Sequence, residues 1–226
     1  MTPKNCQILI VGAGITGLTT ARELLKRGVK DILIVEKERG TGYHSSGRNS
    51  GVLHAGMYYT PETLKAKYCV RGNRLMKEFC RAKGLILQET GKVILAKDST
   101  EIESLYELKR RADLCGARAY LIGRKELHEL EPGAAPGDQA LFSPDTAVIK
   151  PTEVLAALEA ELEASGKVKI SFGTVFRGLD GNNRAVTAEG PVRFEKLVNA
   201  AGSYADRVAG QFGLAGEYKI LPFKGT

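Results

Sequence analysis

Gly12, Gly14 and Gly17 stand in the spacing GxGxxG, directly after the apolar run Gln7 to Val11 and at the start of a helical pattern, Ile15 to Arg27. In that context each glycine has a mechanical task. Gly12 makes the turn, Gly14 lets backbone N–H groups at the helix start approach a pyrophosphate, and Gly17 lets the helix lie close to the strand. Glu36 closes the next β-branched strand, Ile32 to Glu36, where a carboxylate can accept hydrogen bonds from an adenosine ribose. It would repel a 2′-phosphate, so the ligand is NAD or FAD rather than NADP. The loop Thr41 to Tyr59, TGYHSSGRNSGVLHAGMYY, helps decide between them. A simple NAD dehydrogenase would return quickly to helix, whereas an extended glycine and hydroxyl loop can wrap the ribityl chain and second phosphate that FAD carries.

These groups need a scaffold that holds a strand end, a helix start and a loop together. Two strands apolar on both faces, joined through a helix that stops at Gly28, make a βαβ unit and imply a parallel sheet covered by helices. Residues 37 to 59 break the pattern with clustered glycines and no clear period. Thr60-Pro61-Glu62 then predicts a helix start, with Thr60 as cap and Pro61 at the first helical position. Leu64, Tyr68, Leu75 and Phe79 are expected on its packed face, Lys67, Arg74 and Arg81 on a solvated one, and Gly84 at its end. Beyond Gly91 the texture changes: a strand at 92–96, a helix around 101–114, a strand at 118–122, a short helix near 125–130, then the stretch 140–149. Pro151 opens a helix with Val154, Leu155, Leu158 and Leu162 inward, and strands follow near 168–172, 175–179, 185–188 and 197–200. The expectation is an α/β protein: a Rossmann-like FAD-binding domain (1–85 and 147–212) with a parallel sheet, and an interleaved, incomplete α+β second domain (86–146), to which 213–226 begins to return.

Hydrophobic residues at 43% and charged residues at 26% are the composition of a globular chain rather than a disordered one. No apolar run has the length of a membrane span and the N-terminus lacks the apolar region of a signal peptide, so a soluble, cytoplasmic protein is expected. The formal net charge of +7 comes from scattered basic residues without aromatic interleaving, which argues against nucleic acid. It suits an anionic small substrate or a peripheral contact with an acidic face of the inner membrane. Cys6, Cys69, Cys80 and Cys115 show no zinc or redox spacing and are expected to be reduced thiols, with no metal site.

The segments VGAGITGL, LVNAAGSYAD (Leu197 to Asp206) and the 41–59 loop together resemble the FAD-dependent D-amino-acid oxidase superfamily. Within it, NSGVLHAGMYYTPETLKAKYCVRG, Asn49 to Gly72, is most similar to the L-2-hydroxyglutarate oxidase and dehydrogenase family. The resemblance implies that Gly12, Gly14, Ile15 and Thr16, with Gly17 behind them, line the pyrophosphate, and Glu36 with Lys37 the adenosine ribose. Ser45, Ser46, Asn49, Ser50 and Gly51 fall to the ribityl and flavin side, the backbone of Val175 to the adenine, and Ala201 and Gly202 to a second close approach of backbone. His54 stands where related flavoenzymes face substrate, and its neutral imidazole could take a hydroxyl proton while hydride leaves for the flavin. Tyr58 or Tyr59 could hydrogen-bond a substrate carboxylate or simply pack. His44 is expected to be loop scaffold and His128 solvated, while Lys150 stands where the family usually has an aspartate. The reaction implied is oxidation of a small 2-hydroxy acid, L-2-hydroxyglutarate above others, with oxygen or a quinone as electron acceptor; the alternatives are another substrate of the superfamily (an amino acid, a secondary amine or glycerol 3-phosphate) or a non-catalytic FAD-binding fragment or subunit. Because the family continues beyond the closing LPFKGT, a complementing C-terminal segment is expected as a partner.

Overall fold

The computed structural model describes residues 4–135, 138–214 and 216–221. In chain order the elements are β1 (Lys4–Val11), α1 (Ile15–Lys26), β2 (Ile32–Val35), β3 (Val52–Leu53), α2 (Leu64–Lys83), β4 (Leu87–Gln88) and β5 (Lys92–Leu95). Then come α3 (Ser99–Cys115), β6 (Tyr120–Gly123), α4 (Arg124–Leu130), β7 (Gln139–Ser143), β8 (Ala147–Ile149) and α5 (Pro151–Ala164). The chain closes with β9 (Val168–Ser171), β10 (Phe176–Leu179), β11 (Arg184–Thr187), β12 (Gly190–Asn199) and α6 (Ala205–Gly210). They fall into two compact units, Met1–Asn49 with Pro151–Thr226, and Ser50–Lys150.

The first unit is built on a six-stranded sheet in the order β10-β11-β12-β1-β2-β9. β12, β1, β2 and β9 are parallel, and β10-β11-β12 form an antiparallel meander at one side. β1 and β2 are apolar on both faces because both faces are covered. Leu9, Val11, Leu33 and Val35 pack with Val192, Phe194 and Val208 of β12 and α6, and the alternation of a strand sends Ile10 and Ile34 to the opposite face. On α5 the expected inward residues Val154, Leu155, Leu158 and Leu162 are buried, and Arg22 of α1 pairs with Glu161 at 2.5 Å. The last part of the return segment, Pro222 to Thr226, lies outside the described residues.

The second unit holds two three-stranded sheets, β3-β8-β4 and β5-β7-β6, with α2, α3 and α4. It begins at Ser50 rather than at 86, because β3 pairs with β8 and α2 packs against α3. The segment 140–149 is two strands, β7 and β8, separated by a turn in which Thr146 N–H reaches Ser143 O at 3.4 Å.

Two expectations about α2 are corrected. The helix starts at Leu64 with Thr63 as its cap: Thr63 Oγ accepts the Ala66 N–H at 3.2 Å, while Thr60 O accepts both the N–H and the hydroxyl of Thr63 and closes a turn ahead of the helix. The inward face is also different. Leu64, Tyr68 and Leu75 are exposed, and Ala66, Val70, Asn73, Lys77 and Cys80 form the buried stripe, with Phe79 beside it. That stripe keeps helical spacing but contains an amide and an ammonium, each with partners: Asn73 with backbone carbonyls and Lys77 with Glu89 at 3.0 Å. All four cysteines are free, Cys6 and Cys80 buried, and burial pushes the Cys6 thiol up to about 11. Among the described residues no helix is long and apolar enough to cross a membrane.

Candidate cofactor groove and active-site residues

In the first unit, the C-terminal ends of β1 and β2 and the start of α1 border a groove of about 250 Å³. The chain can fold this way only because two side chains are missing. Gly12 has φ +107°, and a Cβ there would lie 2.4 Å from the Ala200 carbonyl oxygen. A Cβ on Gly17 would lie 1.9 Å from Gly12 O, which is the close helix–strand approach the motif demands. Gly14, in extended backbone, precedes the helix, and the Ile15 N–H donates to Ser46 Oγ at 3.0 Å. The loop hydroxyl thus already sits on one of the donors that a helix start leaves unsatisfied.

Glu36 is fixed rather than free to swing. Its Oε2 accepts the Ala13 N–H at 2.8 Å and its Oε1 the Glu38 N–H at 2.9 Å, tying the glycine turn to the end of β2. A carboxylate oxygen has further acceptor capacity beyond one bond, so each can still receive a ribose hydroxyl. Of the other expected cofactor residues, Thr16, Lys37, Ser45, Ser46, Val175, Ala201 and Gly202 line the same groove. Ile15 and Gly17 are not in its lining: Ile15 bonds the loop through its N–H, and Gly17 packs against Gly12. Asn49 holds the loop by donating to Ser45 O at 2.9 Å and Ser46 O at 3.1 Å. Ser50 and Gly51 belong to the second unit, where Gly51 O accepts the Ile149 N–H at 2.9 Å.

Thr174 and Phe176, which flank Val175 in the strand expected near the adenine, also line the groove, and so do two residues with no expected role, Tyr43 and Tyr204. Buried Thr174 donates its N–H to Glu36 O at 2.8 Å and its hydroxyl to Ser171 Oγ at 3.1 Å, so it positions the strand end that carries Glu36. The Tyr204 ring carries Lys37 Nζ 5.2 Å and the Arg207 guanidinium 5.0 Å from its centroid. A tyrosine within GSYAD was the available signal for the last of these. At the rim, Glu38 contacts Lys37 and accepts from His44 Nε2 at 2.9 Å, and these bonds, Lys37 first, hold its carboxyl below the usual glutamate range. His44 is accordingly part of the loop scaffold.

In the second unit, His54, Tyr58 and Tyr59 occupy the segment that follows β3. Ala55 and Met57 are buried in a cluster with Val70, Leu105 and Leu141, and this anchoring leaves His54 and Tyr58 at the surface. Buried Asn73 holds the segment, its amide donating to Leu53 O and His54 O at 3.1 Å and to Asp145 O at 3.0 Å. His54 meets the Tyr58 ring edge-on with centroids 6.0 Å apart. Partial burial, then the nearby Lys92 charge, lowers the His54 pKa, which favours the neutral imidazole. Lys92 Nζ donates to the Tyr58 hydroxyl at 2.6 Å. Tyr59 has a different partner, its ring under Lys65 Nζ at 4.4 Å. Among the described residues there is no group of three or more His, Cys, Asp and Glu side chains arranged to hold a metal ion.

This geometry has known counterparts. Residues 7–226 match the family described as FAD dependent oxidoreductase. The chain is 34% identical to an L-2-hydroxyglutarate dehydrogenase of Escherichia coli O17:K52:H18, covering 96% of this chain and 52% of that protein. It is 34% identical to the mitochondrial enzyme of that name from Homo sapiens (98% and 51%) and 37% identical to that of Caenorhabditis elegans (96% and 52%). It therefore spans about half the length of the curated relatives it matches. Among solved structures, it is similar to an L-alpha-glycerophosphate oxidase from Mycoplasma pneumoniae with FAD bound, with TM-score 0.83 and 28% identity over 92% of this chain and 57% of that one. A glycine oxidase from Geobacillus kaustophilus shares the fold, with TM-score 0.81 and 24% identity over 93% and 59%. The glycine turn, the Glu36 acceptor and the match along nearly the whole chain agree: the chain belongs to the FAD-dependent oxidoreductase family.

Proposed function

We propose that this chain carries the FAD-binding and part of the substrate-binding machinery of an oxidoreductase that converts L-2-hydroxyglutarate to 2-oxoglutarate. The observation that carries the reading is the identity of 34 to 37% to L-2-hydroxyglutarate dehydrogenases over at least 96% of this chain. The groove supports the cofactor half of it. Its glycine cradle admits backbone close to a pyrophosphate, and Glu36 presents acceptors to an adenosine ribose. Gly12, Gly14, Ile15 and Thr16 hold the pyrophosphate, Glu36 and Lys37 the ribose, and Val175, Ala201 and Gly202 give backbone contact. Ser45, Ser46, Asn49, Ser50 and Gly51 serve the ribityl and flavin side.

Bound FAD supplies the acceptor for the hydride that leaves the carbinol carbon. The chain's own contribution is to the proton: neutral His54 accepts it from the substrate hydroxyl, so that the C–O bond becomes a carbonyl as the C–H bond breaks. The lowered pKa keeps His54 in the form that can do so. Anaerobic mixing of the FAD-loaded protein with L-2-hydroxyglutarate should bleach the flavin absorbance, and the D enantiomer should not. Bleaching by glycerol 3-phosphate or an amino acid instead would move the protein to another branch of the family.

A further inference from the structure

Lys92 opens β5 on the same face as Ile94, whose side chain packs against the cluster of Ala55, Met57 and Leu141. The lysine is therefore half-buried at its base and reaches Tyr58 with its ammonium. Buried Lys77 and partly buried Lys109 each pair with a carboxylate, but no described carboxylate pairs with Lys92. Its one hydrogen-bond partner among the described residues is the Tyr58 hydroxyl, at 2.6 Å, with Nζ 4.7 Å from the ring centroid. An ammonium has three donors, and a phenol oxygen that accepts one of them still has its own O–H to give. Two ammonium N–H groups and one phenol O–H are thus left at one point with no acceptor among the described residues.

We propose that Lys92 and Tyr58 form a clamp for the distal carboxylate of a dicarboxylic 2-hydroxy acid, and so select diacids over monoacids. The proposal rests on the reading given under Proposed function. An ionised carboxylate is the acceptor such a pair fits, because it can take the N–H of the ammonium and the O–H of the phenol as charge-assisted bonds. His54 completes the arrangement. Its ring meets that of Tyr58 edge-on, centroids 6.0 Å apart, so the imidazole assigned to the substrate hydroxyl and the donors offered to the carboxylate lie side by side on one segment. The diacid preference then has a physical source: a monoacid forgoes the charge-assisted bonds that the ammonium and the phenol offer to a second carboxylate.

The test separates binding from turnover. Glutarate, which has no hydroxyl to oxidise, is titrated calorimetrically into the FAD-loaded protein, and 2-hydroxyglutarate and 2-hydroxybutyrate are compared as reductants of its flavin. Lys92→Met should weaken glutarate by about tenfold or more, while Lys92→Arg stays within about threefold and Tyr58→Phe falls between them. In Lys92→Met the KM for 2-hydroxyglutarate should rise toward that for 2-hydroxybutyrate. Circular dichroism of each variant verifies that it is folded. Unchanged glutarate affinity in folded Lys92→Met, or no glutarate binding to the unmutated protein, overturns the clamp even if 2-hydroxyglutarate reduces the flavin. Lys92-dependent glutarate binding without flavin reduction by any 2-hydroxy acid supports the clamp and overturns the reaction instead.

Discussion

Glu36, His54 and Asn73 each make a separable prediction. The Glu36 carboxylate bonds two backbone N–H groups and borders the groove, so Glu36→Arg removes charge-assisted acceptors and adds a cation. FAD affinity, followed by quenching of flavin fluorescence, should fall by about 1.5–3 kcal/mol or more. His54→Gln should retain the flavin spectrum and slow anaerobic flavin reduction by about 10²–10⁴, the usual contribution of a general base. If His54 is the base as proposed, the neutral imidazole is the working form, and with its pKa lowered kcat/KM should hold as pH falls past the ordinary histidine value of about 6.5 and drop only through the lowered pKa. Removing the Lys92 charge relieves the smaller of the two causes, and should move that acid limb to higher pH. Asn73 acts differently, through the backbone that carries His54. Asn73→Ala leaves three carbonyls without their amide partner and should cost about 1–3 kcal/mol in urea unfolding.

At the scale of elements, the close contact between β1 and α1 makes Gly17 the sensitive position. Its Cβ would penetrate the Gly12 carbonyl, and backbone cannot give as a side-chain tip can. Gly17→Ala should destabilise by about 1–3 kcal/mol or more and lower FAD retention with it, seen as a lower Tm and a colourless preparation. For α2, capping separates two threonines three residues apart. Thr63→Ala should cost about 1 kcal/mol because Thr63 caps the helix, while Thr60→Ala should stay within about 0.5 kcal/mol. The buried stripe of α2 was not legible beforehand because apolarity pointed to Leu64, Tyr68 and Leu75. The helix instead turns inward the residues whose polar groups find partners in place, Asn73 and Lys77.

At the scale of the whole molecule, FAD binds the folded state and not the unfolded chain, so its occupancy is linked to stability. Thermal unfolding followed with FAD at about 100 times its Kd should show about 2.7 kcal/mol of added stability, and NADP at the same excess should add none. The cofactor half was readable in the sequence because its requirements are local: a strand, three glycines and an acid at the next strand end are bound to one another by backbone geometry. Gly17 had to be glycine for its contact with Gly12 and Gly12 for its φ of +107°, both local demands, and the Ala200 carbonyl adds a tertiary reason at Gly12. The helices α1, α3 and α5 were readable for the same reason, since their caps and periodicity lie within one stretch of chain. What brings Lys92 to Tyr58, Asn73 to the His54 carbonyl and Thr174 to Glu36 is different in kind. Those pairs come from separate elements, and only strand pairing and core packing decide which side chains meet. The sequence alone determined the nucleotide cradle and the family it belongs to, because both are written in contiguous backbone constraints. Tertiary structure alone decided which polar residues were buried with partners and which cation was left facing outward, because partnership between distant residues has no local signature.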